Sequence, residues 1–483
     1  MTTSATRRWS AFAVLLVGAF LPPLDFFIVN VALPSIQSTL HTSPAELQLV
    51  ISGYAAAYAV FLITGGRLGD LFGRRRIFLI GISGFGLTSL ICGVAHSPAV
   101  LIVGRVLQGL SAAAMAPQGL ASVHALFPEK ERARALGLYG VAVGLAAVVA
   151  QALGGALISA DFFGLQWRII FLVNLPVVAA VLIFGLPLLP DARADSPAPV
   201  DRVGVLLCAL TLGLLIVPLV EGRELGWPAW AVAMLVACPA AGFCFWRHEA
   251  AYARRGGVPL VSMDLVRRPG LSSGLTGVLF FYVVSAFFLV FSVYLQSALG
   301  LSPLATGLVF LPFGIGSLIG PLTTPLAIRC FGAWVPAIGM LLEVAGCVLL
   351  ATVVAATPGR MPDQLPLVAA VGLLGFGQGL ALPTLVRAII SRAPSTGSGM
   401  IAGITNSALQ ISAALGVAVI GGVFFSLAGS SPDPIAMSRA LTAAMLCIAA
   451  SLTVAAFLSV VASRATQLSS HPPRAKAEFP AAH

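Results

Sequence analysis

Long apolar runs alternate with short polar connections along the whole chain. Runs of about 20 residues, the length an α-helix needs to cross roughly 30 Å of hydrocarbon, fall near 9–31, 47–65, 77–95, 99–122, 136–159, 167–189, 203–220, 228–246, 271–296, 305–327, 334–357, 365–391, 399–426 and 437–462. Strands of a membrane barrel would be about 10 residues of alternating polarity, and these runs are longer and continuous. The pattern predicts an all-α integral membrane protein with fourteen transmembrane helices.

Fourteen such helices take up roughly 280 residues, which leaves no room for a soluble catalytic domain in a chain of 483. The expected organisation is a six-helix bundle over 1–190, two extra helices over 191–247, a basic cytoplasmic loop over 248–270, a second six-helix bundle over 271–463, and a disordered cytoplasmic tail over 464–483. Composition agrees: 9% of residues are charged, against roughly 25% in soluble domains. Too little polar surface remains to cover a globule in water.

Charge placement sets an orientation, because short loops rich in Lys and Arg stay in the cytoplasm. With the N-terminus inside, 22 of the 27 basic residues are cytoplasmic, four are outside (Arg168, Arg223, Arg360, Arg439), and Arg105 lies within a span. Both termini are therefore expected inside. The net charge of +10 reflects topology, and nucleic acid is not an expected partner. The first span is longer than a signal core and reads as retained. Abundant Ala and only two Lys point to a GC-rich bacterial genome, and hence to the bacterial inner membrane. Seven Cys form no Cys-x-x-Cys pair, and the six His lack metal-ligand spacing. No cofactor or metal is expected, and the missing Gly-Lys-Ser/Thr phosphate loop speaks against direct use of ATP.

The two halves echo each other. Leu71-Phe72-Gly73 returns as Cys330-Phe331-Gly332, Gln108-Gly109-Leu110 as Gln378-Gly379-Leu380, and Gln151 as Gln410. Spans one to six thus match nine to fourteen in the same orientation, with seven and eight inserted between them, as in transporters built from repeats. Glycine pairs such as Gly314 with Gly316 and Gly375 with Gly377 sit inside apolar helices with no preceding strand, so they read as close helix packing rather than nucleotide binding.

The segment GRLGDLFGRRR, 66–76, places Gly66 and Gly73 at a tight cytoplasmic turn, with Asp70 and Arg74 to Arg76 able to bind helix ends and partner charges. It resembles the cytoplasmic signature of the major facilitator superfamily. LDFFIVNVALP (24–34), GRVLQG (104–109), WRIIFLVNLP (167–176), LVEGRELGW (219–227) and YLQSALGLSPLATGLVFLP (294–312) are similar, in the right order, to motifs of its fourteen-span drug:proton antiporters. The resemblance implies two six-helix bundles rocking about a central site, with the inner-face residues Gly66, Asp70, Gly73 and Arg74 and the fifth-span pair Gly154 and Gly155 as a conformational gate. Two departures stand out. The fifth-span exporter motif Gly-Pro-x-x-Gly-Gly reads Ala150-Gln151-Ala152-Leu153-Gly154-Gly155, without its Pro, and Leu49 stands where the family often has Trp.

An ionised group in mid-span costs roughly 2.5–3.5 kcal/mol on insertion scales, so each calls for a reason. Three occur: Asp25, Arg105 and Glu343. At about 1.5 Å per residue, Asp25 and Arg105 lie at similar depth in the outer half, on two spans that line the cavity of this fold. They are expected to interact, either as a proton-coupling pair or as a fixed ion pair locking two helices. Glu343, near mid-membrane on a more peripheral span, is a third proton-coupling candidate, against a locally bonded carboxyl. Candidates for substrate binding are Asp25 and the amides Asn30, Gln108, Gln151, Gln296, Gln378, Asn406 and Gln410, with helix-to-helix bonding as the alternative. The Phe-rich ninth span either offers aromatic faces to a lipophilic cation or faces lipid.

These features together lead to the expectation of a proton-driven secondary transporter, not an enzyme, that exports lipophilic cationic or neutral drugs as a monomer in the bilayer. Its partners are small-molecule substrates and protons, and the proton gradient is the energy source. Proton-coupled movement of a specific small solute is the alternative, and a non-transporting receptor is the least favoured reading.

Overall fold

The computed structural model describes residues 5–190, 201–224, 226–257, 259–261, 267–268, 270–392, 398–429 and 433–469, without the side chains of some helical residues. The described residues contain helices and turns and no strand. The first half comprises α1 (Ala5–Leu40), α2 (Pro44–Phe72), α3 (Arg74–Gly93), α4 (Pro98–Leu126), α5 (Glu129–Ala160) and α6 (Asn174–Leu188). Two helices follow, α7 (Arg202–Glu224) and α8 (Ala229–Arg254). The second half comprises α9 (Leu271–Phe281), α10 (Ala286–Val293), α11 (Pro303–Val309), α12 (Leu311–Phe331), α13 (Val335–Ala356), α14 (Gln364–Ile390), α15 (Ser398–Ala428) and α16 (Pro434–Ser469). The last helix runs beyond the expected end of the membrane part at 463, and residues of the expected tail from 470 onward lie outside the described part.

Eleven helical stretches among the described residues are long and apolar enough to cross a membrane. The chain is a multi-pass membrane protein. Local chemistry explains several helix ends. Ser43-Pro44, Ser97-Pro98 and Ser302-Pro303 each put a capping hydroxyl before a proline at the first helical position, where the missing N–H costs nothing. At Ser43 and Glu46 a full capping box forms. Gly73 separates α2 from α3 with φ 97°, and Gly332 follows α12 with φ 56°, a region that favours glycine. The end of the molecule carrying Gly73 is called the near face below, and the opposite end, carrying Ser43 and Ser97, the far face.

Small residues let the helices approach. A Cβ on Gly109 of α4 would lie 3.1 Å from Ala57 Cβ of α2, and one on Gly320 of α12 would lie 2.7 Å from the Gly379 carbonyl carbon of α14. Gly316 and Gly375 meet the facing backbone in the same way, so these glycines serve helix packing.

The halves meet along two seams. In one, α1 and α5 pack on α10 and α11; in the other, α2 packs on α15. On the far side the first seam is tight: a Cβ on Gly155 would overlap the Pro303 carbonyl and sit 3.0 Å from Leu304 Cα, while one on Gly154 would reach 2.7 Å from Ile28 of α1 within the first half. Leu304 N–H donates to Ser159 Oγ at 3.1 Å across it. The inserted helix α7 packs on its hairpin partner α8 and also touches both α2 and α15, so it lies over the second seam.

The Phe-rich segment departs from a lipid-facing reading. Phe287, Phe288 and Phe291 are buried, and only Phe280 of the run is substantially exposed. Phe288 meets Phe27 of α1 at 4.7 Å and Phe313 of α12 at 4.9 Å, while Phe287 stacks on Phe291 at 5.2 Å. The reason is that α1 across the seam and α12 of the same half supply partner rings that no single-helix pattern reveals.

At the near face the hairpin is closed by a polar clasp. Asp201 caps α7 by accepting from Gly204 N–H at 2.8 Å, and its carboxylate lies 2.8 Å from His248 Nε2 of α8. Glu249, buried, accepts from Val261 N–H at 2.8 Å and holds the following loop.

Candidate functional site

The most elaborate buried polar cluster described lies in the first half, around Asp25. Residues Arg105 and Gln108 are three apart, so both side chains leave α4 on one face. Arg105 Nη1 donates to Asp25 Oδ2 in a short ion pair and to Gln108 Oε1 at 2.8 Å. Its Nε donates to the Val50 carbonyl of α2 at 2.9 Å. Gln108 Nε2 donates to Asp25 Oδ1 at 3.1 Å and to Ser89 Oγ of α3 at 2.8 Å. Asn174, at the start of α6, donates to Asp25 Oδ1 at 2.9 Å and to Ser89 Oγ at 3.3 Å. The Tyr54 ring lies 4.3 Å from the guanidinium, within cation–π range, and its hydroxyl donates to the Pro22 carbonyl at 3.0 Å.

Asp25, Arg105, Gln108 and Ser89 have no exposed surface. Three donors face the two oxygens of Asp25, so a proton arriving there must displace one of them. The guanidinium is the chief counter-charge, and weakening that contact leaves a buried cation in need of another partner. Arg105 Nη2 already has none. The arrangement can therefore convert protonation of one carboxyl into release of an arginine, and that is a switch rather than a bond-making centre.

The other candidates distribute by layer. Asn30 and Gln151 both donate to the Phe27 carbonyl, at 3.0 and 3.1 Å, next to the Asp25 level of α1. Gln296 donates to the Val31 carbonyl at 3.0 Å, and Ser292 to that of Asn30 at 3.0 Å, tying the second half to α1 across the far seam. Among the described residues no hydrogen bond joins Gln378, Asn406 or Gln410 to the Asp25 cluster; Gln378 and Gln410 are half-buried and Asn406 is exposed. Glu343 is buried in the second half, between α13 and α14.

Of the gate candidates, Gly155 lies in the far seam described above and Gly154 packs on Ile28 of α1 within the first half. Gly66 faces Pro117 of α4, and Arg74 donates to the Ala121 carbonyl at 2.8 Å, binding the start of α3 to the end of α4. This contact stays within the first half, because terminal helix carbonyls are ready acceptors for a cation at a neighbouring helix start. The side chain of Asp70 lies outside the described residues. Sequence reasoning missed Asn174, Ser89 and Tyr54. Asn174 stands in a motif that had been singled out, just after WRIIFLV, while Ser89 and Tyr54 stand in none, and an uncharged side chain carries no insertion cost large enough to stand out.

A family model for the Major Facilitator Superfamily matches residues 15–417. The chain belongs to the Major Facilitator Superfamily. It is thus a membrane transporter of small molecules rather than an enzyme. It is 37% identical over 426 residues to a probable actinorhodin transporter of Streptomyces coelicolor, covering 88% of this chain and 74% of that one. With the tetracenomycin C resistance and export protein of Streptomyces glaucescens it shares 33% over 429 residues, 88% and 77% of the respective chains. With the puromycin resistance protein of Streptomyces alboniger it shares 36% over 430 residues, 86% and 81%. The transporter's fold is similar to that of a bacterial homologue of the human lysosomal transporter Spinster, with TM-score 0.67 and 17% identity, covering 98% of this chain and all of the other.

Proposed function

We propose that this transporter exports lipophilic drugs, cationic or neutral, in exchange for protons taken up at Asp25. The observation that carries the reading is the Asp25–Arg105 pair, a buried carboxylate at which one added proton must displace one of three donors, the guanidinium being the counter-charge it weakens. In the proposed cycle a proton reaches Asp25 while the far side is open. Arg105 swings away, the affinity for a cationic or polar-headed substrate falls, and cargo leaves outward. Return to the far-closed arrangement exposes Asp25 to the near side, where the proton departs and Arg105 re-forms the pair. The membrane potential adds about 2.3 kcal/mol per charge per 100 mV.

The near face is assigned to the cytoplasm of a bacterial inner membrane by its excess of Arg, with both termini inside and the monomer as working unit. Fourteen spans fit the structure's apolar stretches. Dividing Pro303–Ala356 at Gly332 adds one to the eleven, and the shorter apolar helices Val149–Ala160 and Arg202–Leu215 add two. Solute uptake is the second reading, resting on Gln151 where exporters of the family usually have Pro; the export and resistance roles named for the relatives favour the first.

The test is a susceptibility panel of dyes and antibiotics in a pump-deficient bacterial host, with native chain and Asp25→Asn side by side at equal expression. Native chain is expected to raise tolerance to several lipophilic compounds, and Asp25→Asn to remove that gain. Full protection by Asp25→Asn would refute the coupling role, and uptake that sensitises the host would favour the second reading.

A further inference from the structure

The Asp25 switch leaves unused the one buried carboxyl, among the described residues, that makes no hydrogen bond at all. Glu343 has no exposed surface, and neither of its side-chain oxygens has a hydrogen-bond partner. The packing around it is close: a Cβ on Gly377 of α14 would come within 2.7 Å of Glu343 Cγ. An organic ligand has no room in that contact, whereas a proton needs none.

An ionised carboxylate buried without a partner is costly by several kcal/mol, so this packing accommodates the neutral acid. Even the neutral acid leaves its O–H without an acceptor, at a cost of roughly 1–3 kcal/mol. A residue that costs stability in one arrangement has a reason to be there if a second arrangement uses it.

The surroundings indicate which arrangement. Tyr282 and Cys347 are the titratable groups that share the field of Glu343; no charged group of α12, α14 or α16, the helices packed on α13, acts on it among the described residues. Cys347 is one turn along the same helix. Tyr282 belongs to the 3₁₀ turn Tyr282–Ser285 that interrupts the passage from α9 to α10, and mid-helix 3₁₀ stretches often mark hinges. Across the boundary between halves, α2 carries Tyr58. Tyr58 in turn lies 6.1 Å from the Tyr54 ring, which covers Arg105. Phenols thus stand on both sides of the boundary between halves, Tyr54 and Tyr58 on α2 and Tyr282 in the turn before α10.

We propose that Glu343 is a second proton-binding site, in the C-terminal half, loaded and unloaded once per cycle with Tyr282 as its exchange partner. On unloading, the Glu343 O–H bond breaks and its proton passes to the Tyr282 oxygen as that hydroxyl gives its own proton to water. One proton moves and no electrons are exchanged. The inference rests on the proton-coupled reading above and adds a second proton to each turnover.

Ethidium flux in proteoliposomes, with the membrane potential clamped at zero and a pH step of about one unit, measures the count. Each coupled proton multiplies the limiting ethidium ratio by about ten per pH unit. The native chain is expected to reach about one hundred and Glu343→Gln about ten, while Asp25→Asn builds no gradient. Equal limits for native and Glu343→Gln overturn the second site while leaving the Asp25 reading intact.

A substrate-free measurement covers a variant that fails to fold or a dye that is not carried. The infrared carbonyl band of a protonated carboxylic acid is recorded in the Asp25→Asn background, with and without Gly155→Trp, whose side chain wedges open the far seam on the side from which Glu343 loads. The band is expected to persist into alkaline medium with the seam closed and to titrate away there with the seam wedged open, where the site exchanges with bulk water. Its absence with the seam closed, or its persistence in alkaline medium in the wedged protein, overturns the proposal.

Discussion

Asp25 and Glu343 are both buried within apolar spans of this transporter, and the protein treats them in opposite ways. Asp25 is met by three donors from two helices, with a guanidinium covered by an aromatic ring. Glu343 meets none. The difference teaches what burial of a carboxyl means. A satisfied site holds its charge and resists change until a partner is removed, while a bare one strains toward any arrangement that supplies a partner. The first suits a lock and the second a spring.

The comparison breaks most visibly at Arg105. Arg105→Ala leaves Asp25 buried beside neutral donors only, and removal of one partner of a buried pair costs about 3–5 kcal/mol. Thermal unfolding in detergent should show that loss, and replacing both partners with apolar residues of similar size should recover most of it without restoring transport. At Glu343 the sign is reversed. Glu343→Met removes two unpartnered oxygens and keeps the volume, so the protein should gain about 1–3 kcal/mol, seen as a higher unfolding temperature. A loss there would mean that the carboxyl has a partner in the resting state. The clasp of Asp201 and His248 sharpens the scale from below. It lies at the membrane edge, with the His248 side chain 26% exposed, and it also caps a helix. Asp201→Ala should therefore cost about 0.5–2 kcal/mol, the smallest of the three shifts.

The helical architecture was legible because apolar run length is set by the bilayer, whatever the fold. The Asp25–Arg105 encounter could be anticipated too, since rise per residue fixes depth and two opposite charges at one depth in oil have few alternatives. What escaped was the ring of neutral groups around them. Ser89, Tyr54 and Asn174 become partners of the pair only because α2, α3 and α6 converge on α1 and α4, and that convergence follows from glycine contacts rather than from any local signal. The phenylalanines of the ninth run show the same limit. Their burial depends on rings contributed by α1 and α12, hundreds of residues away in one case.

The position of α7 has a consequence for traffic within the bilayer. A greasy molecule diffusing sideways among the acyl chains meets α7 where α2 and α15 come together, because that helix touches both walls and roofs the crevice. That flank of the boundary between halves is thereby screened from the lipid by a helix that belongs to neither six-helix bundle.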